Sequence, residues 1–228
     1  MSVVFGPLCP ALSSAQEICW TQGATQFVAA THYCVTSVLG PQSGNIYGPR
    51  GLADGDPRTA WCEGAEGHGI GESITIRIDE GPPFRRLIVR NGYGKSRRTY
   101  VRNGRIKTVV ITADNSIHTR VDLIDQNGEL PIYLPGLAQR WMRLTILDVY
   151  PGARFADTCF DFVAPDFVYE EELLQARQAG EPLPPIQELP PTTAVQTPIL
   201  VPEMPGLNDM SELEELPDLP DLITAPSQ

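Results

Sequence analysis

From residue 72 to residue 150 apolar and polar side chains alternate with a period of two, broken by turn formers. In "ESITIRI", Ile74, Ile76 and Ile78 face one side, while Glu72, Thr75 and Arg77 show the character of the other. "FRRLIVRNGY" follows a Gly-Pro-Pro turn. "RIKTVVITAD" and "IHTRVDLID" come next, turned by Asp-Asn-Ser, then "LPIYLP" and "QRWMRLTILDVY". Short strands at regular spacing, with no helix-period segment among them, predict an all-β chain folded as an antiparallel jelly-roll β-sandwich. No internal repeat is visible.

The pattern changes after residue 163. In "PDFVYEEELLQARQAG", Pro165 and Asp166 open a helix, acids fill its first turns and Gly180 closes it. Residues 164–180 are therefore expected as a short helix docking through Phe167, Leu173 and Leu174. Beyond it, residues 181–228 carry scattered apolar residues without a period, and "EELPDLPDL" is typical of them. Such a segment cannot offset its ordering entropy with a core, so it reads as a disordered, Pro-rich acidic tail. It is either a solvating stalk or a docking segment for a protein partner.

Charge sharpens this division. The chain of 228 residues has a net charge of −11, which argues against a nucleic-acid partner. From Ala164 onward 13 acids meet a single Arg, so this part alone carries −12 and the remainder is close to neutral. The acidity belongs to the tail.

At the other end, residues 1–17 look like the back half of a signal peptide, with small residues at Ser13, Ser14 and Ala15. Nothing approaches the roughly 20 apolar residues of an integral membrane segment. Of five cysteines, Cys9 falls in the signal-like segment. The remaining four, Cys19, Cys34, Cys62 and Cys159, suffice for two disulfides and point to export, secreted or periplasmic. Neither a C-x-x-C nor a zinc spacing occurs.

Catalytic constellations are hard to assemble. There are three histidines, His32, His68 and His118, and His68 lies in the Gly-rich "EGAEGHGIG". Glu63 and Glu66 pose as a glycosidase pair, but a loop of that composition does not fix the separation such chemistry requires.

Several separated stretches resemble one family. "TAWCEGAEGHGIGESITI", "NGYGKS", "NGRIK" and "LTILDVYPGARFADT" follow one another in the order seen in the discoidin-like NADase-type glycan-binding domain, of the galactose-binding-like superfamily. The resemblance covers residues 30–163. It implies a β-sandwich that binds and does not catalyse. The name derives from secreted bacterial NAD glycohydrolases, whose catalytic domain is a neighbour of this module and finds no counterpart in the stretches quoted.

The resemblance also implies a structural calcium ion in the loop "GLADGDPRTAW". Asp54, Asp56 and Thr59 would supply oxygens, joined by a final-strand acid. The family's usual Glu is Asp161 here, one methylene shorter. The alternative is that Asp54-Gly55-Asp56-Pro57 is only a turn closed by its own Asx hydrogen bonds. Because the family fold brings its chain ends together, the expected pairing is Cys34–Cys159 with Cys19–Cys62.

Ligand contacts are expected from loops at one end of the sandwich. "NGYGKSRRTYVRNGR" gathers Asn91, Tyr93, Lys95, Arg97, Arg98 and Tyr100: amide, aromatic and cationic groups suited to stacking on a sugar and bonding its hydroxyls or carboxylates. Trp61 joins them as the nearest aromatic, although a Trp at the start of a strand also serves the core. The same basic loop suits either a glycan or the chain's own acidic tail. Two functions follow. One is an exported, non-catalytic module that binds a glycan or cell-envelope component. The other is a structural or protein-interaction module in which the acidic Pro-rich tail engages a partner.

Overall fold

Ile74, Ile76 and Ile78 are each at most 4% exposed, as the alternation requires, and the strand carrying them lies near the middle of a sheet. The computed structural model describes residues 16–113, 117–134 and 138–182. The signal-like segment up to residue 15, with Cys9, the turn at 114–116 and the tail from residue 183 lie outside the described residues.

Ten strands form among the described residues: β1 (Ile18–Gln22), β2 (Ala30–Val35), β3 (Trp61–Cys62), β4 (Ser73–Asp79), β5 (Arg86–Asn91), β6 (Gly104–Ala113), β7 (Ile117–Asp122), β8 (Glu129–Tyr133), β9 (Trp141–Tyr150) and β10 (Thr158–Pro165). Two α-helices, α1 (Arg97–Arg102) and α2 (Phe167–Ala179), and a short 3₁₀ helix at Pro49–Leu52 accompany them. One layer runs β1-β2-β4-β9-β6, with β7 on β6; the other gathers β3, β10, β5 and β8. Among the described residues the strands pair antiparallel except for a two-residue parallel join of β10 to β6, at Thr158–Gly104 and Cys159–Arg105, which links the layers, and an isolated parallel bridge joins Gly92 to Phe160. This is the expected sandwich. Between the layers lie Trp61, Phe84, Ile106, Val109, Ile132, Met142 and Phe160, all fully buried. Each such side chain contributes roughly 1.5–3 kcal/mol on leaving water.

The strand boundaries follow the alternation closely, but the edge and the helices depart from expectation. β1 precedes the expected domain start at residue 30 and pairs along its whole length with β2. Its exposed face gave no clear alternation. The segment after β5 is not an open hairpin loop. Ser96 caps a six-residue helix there, accepting from Thr99 N at 3.1 Å while Thr99 Oγ1 accepts from Ser96 N at 2.9 Å.

The disulfides pair Cys19 with Cys34 and Cys62 with Cys159, not Cys34 with Cys159 and Cys19 with Cys62. Each bond joins residues directly opposite on neighbouring antiparallel strands, with Cα atoms 4.0 Å apart. The expected pairing took Cys34 as part of the first strand. With β1 outside it, Cys34 faces Cys19, and Cys159 faces Cys62 on β3.

Helix α2 docks where expected, with a corrected face. Asp166 caps Tyr169 N at 3.1 Å, and Gly180 closes the helix in a left-handed conformation at φ 69°. Phe167 packs on Phe27 and Phe84. Tyr169 and Leu173 are buried, but Leu174 is 57% exposed. The reason is polar: Glu170 accepts from Arg85 N at 2.7 Å and pairs with its guanidinium, while Arg86 pairs with Asp166 and stacks over Tyr169. These anchors rotate the helix toward Glu170 and Leu173, which turns Leu174 outward.

Candidate functional site

At one end of the sandwich, three loop regions converge: residues 39–47, the β5–α1 connection with α1, and the β9–β10 connection. The first is pinned to β3 by Leu39 N donating to Cys62 O at 2.9 Å and Cys62 N to Tyr47 O at 3.2 Å. The approach is tight enough that a side chain at Gly64 would meet the Val38 carbonyl oxygen at 2.3 Å. Beneath the loops, the Cys62–Cys159 disulfide and Ala60 pack against Tyr47 and Tyr93 as a small second core.

These elements enclose a cavity of about 210 Å³ whose lining includes Asn45, Tyr47, Tyr93, Lys95, Thr99, Asn103, Phe155 and Asp157. That is below the roughly 300–1,000 Å³ of drug-sized pockets, so it has room for one small ring. Tyr47 and Tyr93 meet edge to face at 6.1 Å. Lys95 Nζ donates to Asn45 Oδ1 at 2.7 Å, and Tyr93 Oη donates to Arg58 O at 3.1 Å. Burial, first, and then Tyr47 and Asp161 push the Tyr93 phenol up from its ordinary value, so it stays a hydroxyl donor. Asn103 Nδ2 donates to Thr99 O at 2.8 Å. The cavity thus combines aromatic walls with an ammonium, the three amides of Gln42, Asn45 and Asn103, and a carboxylate. A larger groove of about 450 Å³, lined by Phe27, Val28, Phe162 and Phe167 among others, is mostly apolar. It offers less to a hydroxyl-rich ligand.

The expected ligand residues divide. Tyr93 and Lys95 line the cavity. Arg97 and Arg98 are exposed on α1 and stand outside the lining. Asn91, Tyr100 and Trp61 are structural, which corrects the expectation for all three. Asn91 is fully buried, donating to Ile106 O at 2.6 Å and accepting from Ile106 N at 2.9 Å, a clamp between β5 and β6. Tyr100 is 8% exposed and donates to Asp125 Oδ1 at 2.9 Å, beside Arg105. Trp61 is 0% exposed and donates to Ser37 O at 2.8 Å. In this chain its core role holds. Sequence reasoning missed Asn45, Tyr47, Asn103, Phe155 and Asp157, because their neighbourhood is created by the fold.

The calcium loop is built from the expected residues, but their oxygens are already engaged. Asp54 Oδ1 accepts from Asp56 N at 3.0 Å and Thr59 Oγ1 at 2.8 Å, an Asx turn. Asp56 is clamped by the Arg58 guanidinium through both carboxylate oxygens, which holds its carboxyl down at about 2. Asp161 accepts from Arg90 Nη2 at 2.9 Å and is 1% exposed; desolvation still pushes its carboxyl up, against Arg90. Among the described residues the only close set of three His, Cys, Asp or Glu side chains is Glu17, Cys19 and Cys34, whose cysteines form a disulfide. Asp54, Asp56, Thr59 and Asp161 in this arrangement do not fit a shared calcium ion. The cation at Asp161 is a guanidinium.

Other titratable groups serve the scaffold. Glu63 is fully buried, accepting from Thr158 N at 3.0 Å and Ala65 N at 2.8 Å, and desolvation pushes its carboxyl up. Glu66 is exposed. His32 lies between Thr21 (2.9 Å) and Asp79 (2.7 Å), a triad-like row, but across a flat sheet surface formed by β1, β2 and β4 and shared with Arg77. No described helix is long and apolar enough to cross a membrane.

The chain is thus a two-layered jelly-roll sandwich with a loop-built polar and aromatic cavity at one end, and its class is that of the discoidin-like domains. Residues 25–164 match the model of the NAD glycohydrolase translocation F5/8 type C domain, and the chain belongs to that family. Several solved structures are similar to the chain at low identity. The module CpGH89CBM32-5 from Clostridium perfringens, determined with GalNAc-β-1,3-galactose, is 16% identical over 58% of this chain and 92% of its own, with a TM-score of 0.46. The family 32 carbohydrate-binding module of C. perfringens NanJ, determined with galactose, is 14% identical over 58% and 90%, at 0.43. The arabinofuranosyltransferase AftD from Mycobacteria is 17% identical over 68% of this chain but only 11% of its own, also at 0.46. The comparison with curated proteins finds no match.

Proposed function

We propose that this chain is an exported, non-catalytic module that binds a glycan in the cavity between Tyr47, Tyr93, Lys95 and Phe155. The observation that carries the reading is the cavity's composition: ring-sized, walled by aromatics, and lined by Asn45, Lys95, Asn103 and Asp157. Sugar rings present apolar C–H faces and directed hydroxyls, and this is the combination that engages both. A glycan of the cell envelope, or of a surface the protein reaches after export, is the partner such chemistry suits. Two disulfides support export, since such bonds persist in oxidising compartments. The use of Glu63 as a buried backbone acceptor supports a binding role over a hydrolytic one.

The test is a broad glycan panel probed with the full chain and with Lys95→Ala and Asn45→Ala. Neither side chain is in the core, so both variants should melt like the parent. The reading expects weak but specific binding that either variant reduces, by about tenfold if one charge-assisted hydrogen bond is lost. Binding that both variants leave unchanged would move the site elsewhere. Recognition of no glycan, with salt-sensitive capture of a peptide copying residues 181–228, would favour the tail-centred interaction module.

A further inference from the structure

Beside the cavity stands a group of cations without an ion pair among the described residues. Arg98 and Arg102 lie one turn apart on α1, on one face of the helix. The β9–β10 connection folds back onto this helix: Ala153 N donates to Val101 O at 2.9 Å, and Arg154 N and Phe155 N donate to Arg102 O at 3.2 and 2.9 Å. The result sets two guanidiniums against one ring, with Arg102 Cζ 5.0 Å and Arg154 Cζ 5.5 Å from the Phe155 centroid. Phe155 is 39% exposed and also lines the cavity.

Elsewhere the sandwich pairs most of the arginines on its strands, while Arg50, Arg97 and Arg140 stand without an ion pair among the described residues. Arg85, Arg86, Arg90, Arg105 and Arg143 each have an acid within 3.0 Å. Among the described residues, Arg98, Arg102 and Arg154 make no ion pair. Loss of hydration, and then the charges of Arg154 and Arg98, push the Arg102 guanidinium down from its ordinary value. Three like charges gathered without a counter-ion disfavour the folded arrangement, and an anion placed among them reverses that effect.

We propose that Arg98, Arg102 and Arg154 form an anionic subsite beside the cavity, and that the ligand is a glycan whose neutral ring enters the cavity while an acidic substituent meets the guanidiniums. The inference rests on the glycan-binding reading and adds the class of sugar. Guanidiniums offer planar, bidentate donors to carboxylate or sulfate oxygens. Asp157 lines the cavity together with Lys95, whereas Arg98, Arg102 and Arg154 stand outside its lining. A continuous polyanion laid over both would meet Asp157. A ring carrying one acidic group meets each with matching chemistry.

The experiment uses the full chain on matched oligosaccharide pairs that differ only in an acidic group: 3′-sialyllactose and lactose, oligogalacturonate and its methyl ester, and sulfated and unsulfated forms of one disaccharide. The expected result is at least one pair in which the acidic member binds roughly tenfold or more tightly, the scale of one charge-assisted contact. The preference should shrink toward parity in Arg102→Gln/Arg154→Gln, with binding of the neutral member unchanged. If that variant folds poorly, Arg98→Gln, at an exposed helix position, should show part of the same loss. Equal binding of both members with the variants silent overturns the subsite and leaves the glycan reading standing. Absence of binding to every member overturns both. Polyglutamate binding as tightly as the acidic glycan and displacing it would show a site for charge alone, such as an acidic peptide, and would also overturn the proposal.

Discussion

Removing each disulfide in turn, as Cys62→Ala/Cys159→Ala and Cys19→Ala/Cys34→Ala, should separate the two bonds sharply. Cys62 and Cys159 are 97 residues apart in sequence, and Cys19 and Cys34 are 15 apart. Constraint of the unfolded chain grows with the logarithm of loop length. It gives about 4.7 kcal/mol for a loop near the first length and about 3 kcal/mol for the second. Packing widens the gap. Cys62 and Cys159 are at most 1% exposed and belong to the small core under Tyr47 and Tyr93, whereas Cys19 is exposed and Cys34 half-buried on an outer strand pair. Set against a typical total stability of about 5–15 kcal/mol, loss of the Cys62–Cys159 bond takes a large share. Urea unfolding monitored by tryptophan fluorescence reads both costs. The expectation is a difference of roughly 2 kcal/mol or more, with the Cys62–Cys159 variant the weaker. A Cys19–Cys34 variant that proves equally costly or costlier would refute the reasoning, because neither loop length nor burial would then explain the order.

Three further outcomes are expected. Asn91→Ala should cost about 2–4 kcal/mol in urea unfolding, because it strands the buried N–H and C=O of Ile106; a change under about 0.5 kcal/mol would show that β5 and β6 do not need the clamp. Melting temperature should be equal in calcium and in chelator, since Arg58 and Arg90 already pair with Asp56 and Asp161; a calcium-dependent rise would show that those ion pairs yield to the metal. Asp56 should titrate near 2 by NMR and return toward 3.8 in Arg58→Gln; its carboxyl is lower in the folded state than in the unfolded, so any stability it lends is present above the unfolded value and is lost as pH falls from about 4 toward 2.

The sequence made the sandwich legible because alternation is a local property. Ile74, Ile76 and Ile78 announce a buried face without reference to any partner strand, and β4 to β9 follow the same logic. The cysteine pairing was not legible in this way. It depends on which strands are neighbours, and β1 has too exposed a face to declare itself. The site was half legible. Tyr93 and Lys95 stood out in a Gly-rich segment, and both line the cavity. Asn91 and Tyr100 looked equivalent to them by composition, yet the fold turns both inward to bond Ile106 and Asp125. Asn91 is placed by its inward position on β5; for Tyr100 capping by Ser96 decides, because it converts the loop into a turn of helix that sends Tyr100 to the core and Arg98 and Arg102 toward the surface. Asn45 and Phe155, 110 residues apart, meet only once the sandwich has formed.

The central claim is that the cavity at the end of the sandwich, and not the larger apolar groove beside α2, receives a glycan. Amide chemical-shift mapping tests this most directly. The ¹⁵N-labelled full chain is titrated with the tightest member of the glycan panel. The account predicts that the largest shifts fall on Asn45, Tyr47, Tyr93, Lys95, Asn103 and Phe155, with Arg102 and Arg154 joining when the sugar is acidic. Shifts centred on Phe27, Phe162 and Phe167, with the Asn45 and Lys95 amides unmoved, would contradict it.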